Sequence, residues 1–172
     1  MEAKKSQFPF DDSKINSDHY LKFIVEELKP YIDKKYSVFI TANHTAIMGS
    51  SMGGLISMYA LCEYPNVFGK AACLSTHWIG FREFDNNPIP ESFFAYMEKK
   101  LPESKNHKIY FDYGTETLDA FYLKYEYRVD EILKVKGYTE VDSQNLKFEG
   151  ENHSEASWQK RIHIPLEFMF GK

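Results

Sequence analysis

The segment Gly49-Ser50-Ser51-Met52-Gly53-Gly54 constrains this chain more than any other. It follows the apolar run Thr45-Ala46-Ile47-Met48 and precedes Leu55-Ile56-Ser57-Met58-Tyr59-Ala60-Leu61-Cys62, which is apolar almost all round. A short buried strand, a very tight turn and a helix packed deep on a sheet account for the three pieces in that order. Small residues two before and two after Ser51 let the backbone crowd, so that the hydroxyl is lifted clear of the sheet. The plainer explanation of the same letters is a glycine-rich turn that carries no chemistry.

The rest of the chain repeats the alternation. Residues 1–17 read as an irregular entry. A helix is predicted over 18–35, where Leu21, Ile24, Val25, Leu28 and Ile32 form one stripe at spacings of three and four. Lys70–Ser75 is a second strand, followed by a loop with Asn86, Asn87, Pro88 and Pro90 and a helix over 91–101. Lys108–Tyr113 is a third strand stopped by Gly114, and a long helix over 118–136 ends at Gly137. Asn145–Glu149 is a fourth strand stopped by Gly150, and a last helix runs from Glu155 through Pro165 to Phe168. Helix first, then strand–helix four times, implies right-handed crossovers and a parallel sheet. The fold class is α/β: a three-layer sandwich around a mostly parallel sheet of about four strands.

Composition excludes several classes of function. A chain of 172 residues fits one domain over 1–172 and buries enough surface to fold without disulfides or metal. Its 21 basic and 25 acidic residues give a net charge of −4 with no Lys/Arg-rich tract, so nucleic acid is not an expected partner. Cys62 and Cys73 lack metal-ligand spacing and sit in apolar segments, where free cysteines behave as small hydrophobes. No apolar run reaches a membrane span, and the first residues hold no secretory apolar core, so the visible chain reads as cytoplasmic.

In open parallel sheets, sites form at the carboxyl ends of strands. Ser51 stands there after the first strand, and the helix that follows aims its N-terminus at the site. The backbone N–H of Met52 is thereby a candidate donor to an oxyanion. A serine needs an adjacent base. His153, in Gly150-Glu151-Asn152-His153-Ser154 beyond the fourth strand, is at the correct sheet edge; its bland alternative is an exposed loop histidine. His44 and His107 precede strands, His19 and His163 sit in helical contexts, and His77 follows the second strand, where it could line a pocket. The acid should follow the third strand, given the α/β-hydrolase order of serine, acid and histidine. Asp112 lies inside that strand and reads as structural. Glu116 and Asp119 remain equal on pattern alone, Asp119 also suiting a helix dipole.

These residues resemble a known family. Gly49–Ser57 looks like the nucleophile elbow of the Putative esterase family of α/β hydrolases, which includes esterase D-like enzymes, enterochelin-type siderophore esterases and feruloyl carbohydrate esterases. The likeness covers residues 18–171. It takes in Glu26–Ile32, Tyr64-Pro65-Asn66-Val67-Phe68-Gly69, Ser75 with Trp78, Asp112-Tyr113-Gly114-Thr115 with Leu118-Asp119, and Gly150–Ser154 with Trp158. The resemblance implies an α/β-hydrolase fold and an ester as small-molecule substrate. Siderophore-esterase-like relatives place the acid where Asp119 stands; feruloyl-type relatives place it nearer the Gly-Thr pair, which keeps Glu116 as the alternative.

The implied reaction is attack by Ser51 with His153 as base, Asp119 as orienting acid and Met52 N–H at the oxyanion, with no metal or organic cofactor. His77, Trp78, Phe81 and Trp158 are candidate pocket walls, with core packing as the alternative for each. The family usually carries several strands before the first helix, one of whose loops supplies a second oxyanion donor. Their absence before residue 18 implies an N-terminally truncated domain with an exposed sheet edge, open to homo-oligomer formation. A non-catalytic binding or assembly module is therefore the rival reading, and acyl transfer on the same fold is a third.

Overall fold

The computed structural model describes residues 17–80 and 82–171. The described residues divide into two compact units between Val38 and Phe39, and the irregular entry expected over 1–17 lies, up to residue 16, outside the described residues. In the first, α1 (Ser17–Lys22) and α2 (Lys29–Lys35) are joined by a π-helical turn, Phe23–Leu28. Pro30 explains the change of register: it has no N–H, and its ring crowds the carbonyl four residues back. The Lys29 N–H accordingly reaches Ile24 O, five residues away. The wider turn disturbs the predicted stripe, and Leu28 is 40% exposed.

The second unit holds four strands, β1 (Ala46–Ser50), β2 (Lys70–Leu74), β3 (Lys108–Glu116) and β4 (Ser143–Asn152). They pair in sequence order, all parallel, with Ser50, Leu74, Asp112 and Leu146 aligned across the sheet. Sequential order combined with right-handed crossovers puts all three connecting helices on one face. Those are α3 (Met52–Glu63), α4 (Ile89–Lys100) and α5 (Leu123–Val135). On that face Trp78, Phe94 and Phe111 pack ring against ring.

The opposite face is closed by α6 (Glu155–Arg161) and α7 (His163–Phe170). There Ala72, Leu74, Tyr110 and Met169 form a buried cluster flanked by Met48, Trp158, Ile164 and Phe168. Lys70 and Lys108, at the starts of β2 and β3, donate to the carbonyls of Met169 and Phe168, where cations satisfy the end of a helix. Among the described residues β1 pairs with β2 alone, so its other edge carries no strand.

Several predicted boundaries shift. β3 and β4 run past Gly114 and Gly150 instead of stopping there. A Cβ on Gly114 would come within 2.1 Å of Glu151 O, so this glycine keeps the two strand tails close rather than ending one. Gly150, at φ +75°, lies in the register shift that β4 makes opposite Gly114 and Glu116. The predicted helix over 118–136 also begins differently, with a 3-10 turn over Thr117–Phe121 before α5. Asp119 therefore sits in a tight turn at the sheet edge.

Candidate active site

Ser51 is the first residue after β1. Its N–H continues the parallel ladder to Leu74 O at 2.8 Å, and its backbone then turns sharply, at φ 57° and ψ −119°. A non-glycine residue in this region costs on the order of 1–3 kcal/mol and persists only when its surroundings dictate it. They do so here, because Gly49 lets the helix start come close: a Cβ at Gly49 would lie 2.6 Å from Gly53 O. Gly53 differs from its place in the motif, since a Cβ there would meet nothing within 4 Å. Gly54 is the second crowded position, against Thr76 Oγ1. Met52 opens α3 with an exposed side chain, and the first N–H groups of a helix have no carbonyl partner within it.

His153 follows β4 directly. Its N–H donates to Thr117 Oγ1, and the Gly150 N–H donates to Thr115 Oγ1, so one threonine of the β3 tail and one of the 3-10 turn after it anchor the end of β4. The imidazole lies between two partners: Nδ1 is 2.6 Å from Asp119 Oδ1, and Nε2 is 2.8 Å from Ser51 Oγ. A carboxylate accepts and cannot donate, so Nδ1 carries the proton and Nε2 accepts from the serine hydroxyl. Trp158 meets the ring edge-on at 5.0 Å and Tyr122 at 5.9 Å. The histidine side chain is 10% exposed and that of Asp119 is wholly buried.

The three carboxylates near the end of β3 are thereby sorted. Asp119 holds His153. Glu116 is exposed at the strand end. Asp112 is buried and bonded to Arg161 Nη2 at 2.9 Å, to Tyr110 Oη at 3.0 Å and to the Ser75 N–H at 3.2 Å. Burial lifts the Asp112 carboxyl above the ordinary range, and those donors pull it back.

The proposed pocket walls separate. Trp78 is fully buried and packs in the core layer with Phe94 and Phe111, its Nε1 donating to Glu126 at 2.8 Å. It walls no opening. Trp158 is half-buried and faces His153. His77 is half-buried, shares a 2.9 Å hydrogen bond with Tyr122 Oη and donates its backbone N–H to Ser51 O. Burial lowers the His77 pKa, which keeps the ring neutral at pH 7. Phe81 lies outside the described residues. An open groove lined by Glu98, Arg128 and Ile132, among others, shares no residue with this site. Among the described residues, no cluster of three or more His, Cys, Asp or Glu is placed to hold a metal ion.

Ser75, Tyr122 and Arg161 were not singled out for chemistry in the sequence. A signal existed for the first, because Ser75 follows β2 in the register that Ser51 has after β1. Arg161 lies three residues after Trp158, on the same side of α6.

The sequence model of the family described as "Putative esterase" matches residues 5–166. The chain belongs to this Putative esterase family. Among curated relatives, protein YbbA of Bacillus subtilis is 28% identical over 162 residues, covering 90% of this chain and 60% of YbbA. Among solved structures, the enterobactin esterase FES from Shigella flexneri superposes with a TM-score of 0.70 at 18% identity, over 90% of this chain and 38% of that one. A ferulic acid esterase superposes with a TM-score of 0.67 at 20% identity, over 87% of this chain and 60% of that one. These structural likenesses establish the α/β-hydrolase fold. The chain spans no more than about 60% of YbbA, FES or that ferulic acid esterase.

Proposed function

We propose that this Putative esterase family protein is a serine hydrolase that cleaves a carboxylic ester through an acyl-enzyme. The observation that carries the reading is the unbroken hydrogen-bonded chain Asp119–His153–Ser51, ending on a serine held at positive φ at the mouth of a helix. Ser51 Oγ attacks the acyl carbon while His153 Nε2 takes the hydroxyl proton. The carbonyl oxygen becomes an oxyanion facing the Met52 N–H, and Asp119 stabilises the imidazolium. Collapse breaks the ester C–O bond, and His153 returns the proton to the leaving alcohol. Water then attacks the acyl-enzyme with His153 again as base, which releases the carboxylic acid and restores Ser51. The names of the structural neighbours, an enterobactin esterase and a ferulic acid esterase, favour a siderophore ester or a ferulic acid ester as the substrate class.

A fluorophosphonate probe is expected to label the protein at Ser51, with p-nitrophenyl ester hydrolysis lost together with labelling in Ser51→Ala. A folded sample that neither labels nor turns over would overturn the reading. That outcome would favour a binding or assembly module, for which the edge of β1 that carries no strand among the described residues is the supporting observation. Sedimentation would then be expected to show association.

A further inference from the structure

Resting on that reading, we propose that Ser75 is a positioning residue of the site: its one hydroxyl proton is committed to Asp119 and dictates which carboxylate oxygen serves His153. Ser75 is completely buried, and its Oγ has three partners. It lies 2.6 Å from Asp119 Oδ2, 2.9 Å from Trp158 Nε1 and 2.9 Å from Arg161 Nη2. A serine hydroxyl has one proton and two lone pairs, whereas indole and guanidinium nitrogens can only donate. Trp158 and Arg161 therefore fill both lone pairs, and the proton has one destination left, Asp119 Oδ2. The direction of this bond follows from the inventory of donors alone.

Oδ2 also receives the Gly114 N–H at 2.6 Å. With two donors on Oδ2, rotation of the carboxylate is blocked and Oδ1 is the oxygen left for His153 Nδ1. Ser75 is itself held from behind. Its N–H reaches Asp112 O at 2.8 Å and Asp112 Oδ1 at 3.2 Å, and Arg161 Nη2 bridges Asp112 Oδ1 and Ser75 Oγ. Ser75 sits at φ 42°, a conformation that a serine keeps only when its surroundings over-determine it. Ser51 and Ser75 are thus paired devices in adjacent strands. Each leaves its strand at positive φ; the first presents a hydroxyl to substrate and the second presents one to the acid.

The titratable groups facing His153 are Asp119 from the 3-10 turn, Tyr122 between that turn and α5, and His77 from the loop after β2; those behind Ser75 are Asp112 and Tyr110 from β3 and Arg161 from α6. Removing the Ser75 hydroxyl takes one donor from the Asp119 carboxylate. The imidazolium then faces a less satisfied negative charge, and its pKa rises.

The test uses Ser75→Ala and Ser75→Gly, the second of which also relieves the positive φ and so supplies a folded sample. In both, the titration of His153 followed by NMR on 13C-histidine-labelled protein is expected to move up by about half a unit. The acidic limb of kcat/KM for a p-nitrophenyl ester should move with it, and kcat should fall about tenfold at constant KM. A role confined to structure would lower the yield of folded protein and leave the titration in place. An unchanged His153 titration in folded variants of an active enzyme overturns the proposal. A shifted titration in a protein whose parent neither labels nor hydrolyses upholds the positioning role and overturns the ester-hydrolase reading instead.

Discussion

At the scale of single residues, Glu126 is a carboxyl whose surroundings oppose its charge. It is buried in α5, where its Oε1 accepts from Trp78 Nε1 while its Oε2 has no hydrogen-bond partner among the described residues. Burial, with the nearby negative charges of Asp130 and Asp112, pushes its carboxyl up to about 8 from the ordinary 4.5. Between those two values the folded protein keeps a proton that the unfolded chain has released. The folded state binds more protons in that window, so unfolding free energy falls as pH rises through it. The slope is at most about 1.4 kcal/mol per pH unit. The contribution is fully present below pH 4.5 and lost as the pH passes 8. Glu126→Gln keeps an acceptor for Trp78 and has nothing to ionise. Urea melts at pH 5 and pH 8 should show the variant gaining stability over the parent at the higher pH; equal differences at both pH values would contradict a protonated Glu126.

At the scale of elements, the turn between β1 and α3 separates two glycines that the motif treats alike. A Cβ on Gly49 would strike the Gly53 backbone at 2.6 Å, which neither strand nor helix can yield without moving Ser51. Gly49→Ala is expected to cost about 3 kcal/mol. Gly53 has open space and lies in a helix, where Ala is favoured over Gly, so Gly53→Ala should be neutral or stabilise by about 0.5 kcal/mol. Chemical denaturation of the two variants checks the contrast, and equal losses would refute it. This contrast also marks how far the sequence can be read. The elbow, the alternation of strands and helices and the placement of Ser51 and His153 past strand ends rest on local pattern and were legible, whereas pattern left Glu116 and Asp119 equal and only the family resemblance leaned to Asp119. The tails of β3 and β4 were not, because Gly114 and Gly150 look like stops until the neighbouring backbone is seen. Sequence leaves Trp78 between pocket wall and core packing, because it lies past a strand end and the letters cannot show that Phe94 and Phe111 enclose it. The π turn before Pro30 was hidden by a stripe that fits an ordinary helix.

At the scale of the whole molecule, the second unit is held across its sheet by a buried ion pair between distant parts of the chain. Arg161 in α6 and Asp112 in β3 are 3% and 0% exposed, and Arg161 also lies over the Phe148 ring at 5.0 Å. Such a pair offsets its own desolvation only while both partners and their hydrogen bonds remain. Nε and Nη1 of Arg161 have no partner among the described residues, so the pair holds α6 in place at a cost. Arg161→Met would leave Asp112 buried and uncompensated and is expected to destabilise the protein by about 3–5 kcal/mol. Adding Asp112→Asn should recover most of that loss. The asparagine oxygen can still accept the Ser75 N–H, and the Tyr110 hydroxyl can turn from donor to acceptor toward the new amide. A double-mutant cycle in urea measures the coupling; a double variant as unstable as the sum of its single variants would show that the pair does not act as a unit. If the coupling is found, the charge behind Ser75 is a removable device for seating α6, whereas the hydroxyl in front of it is tied to the chemistry of Asp119.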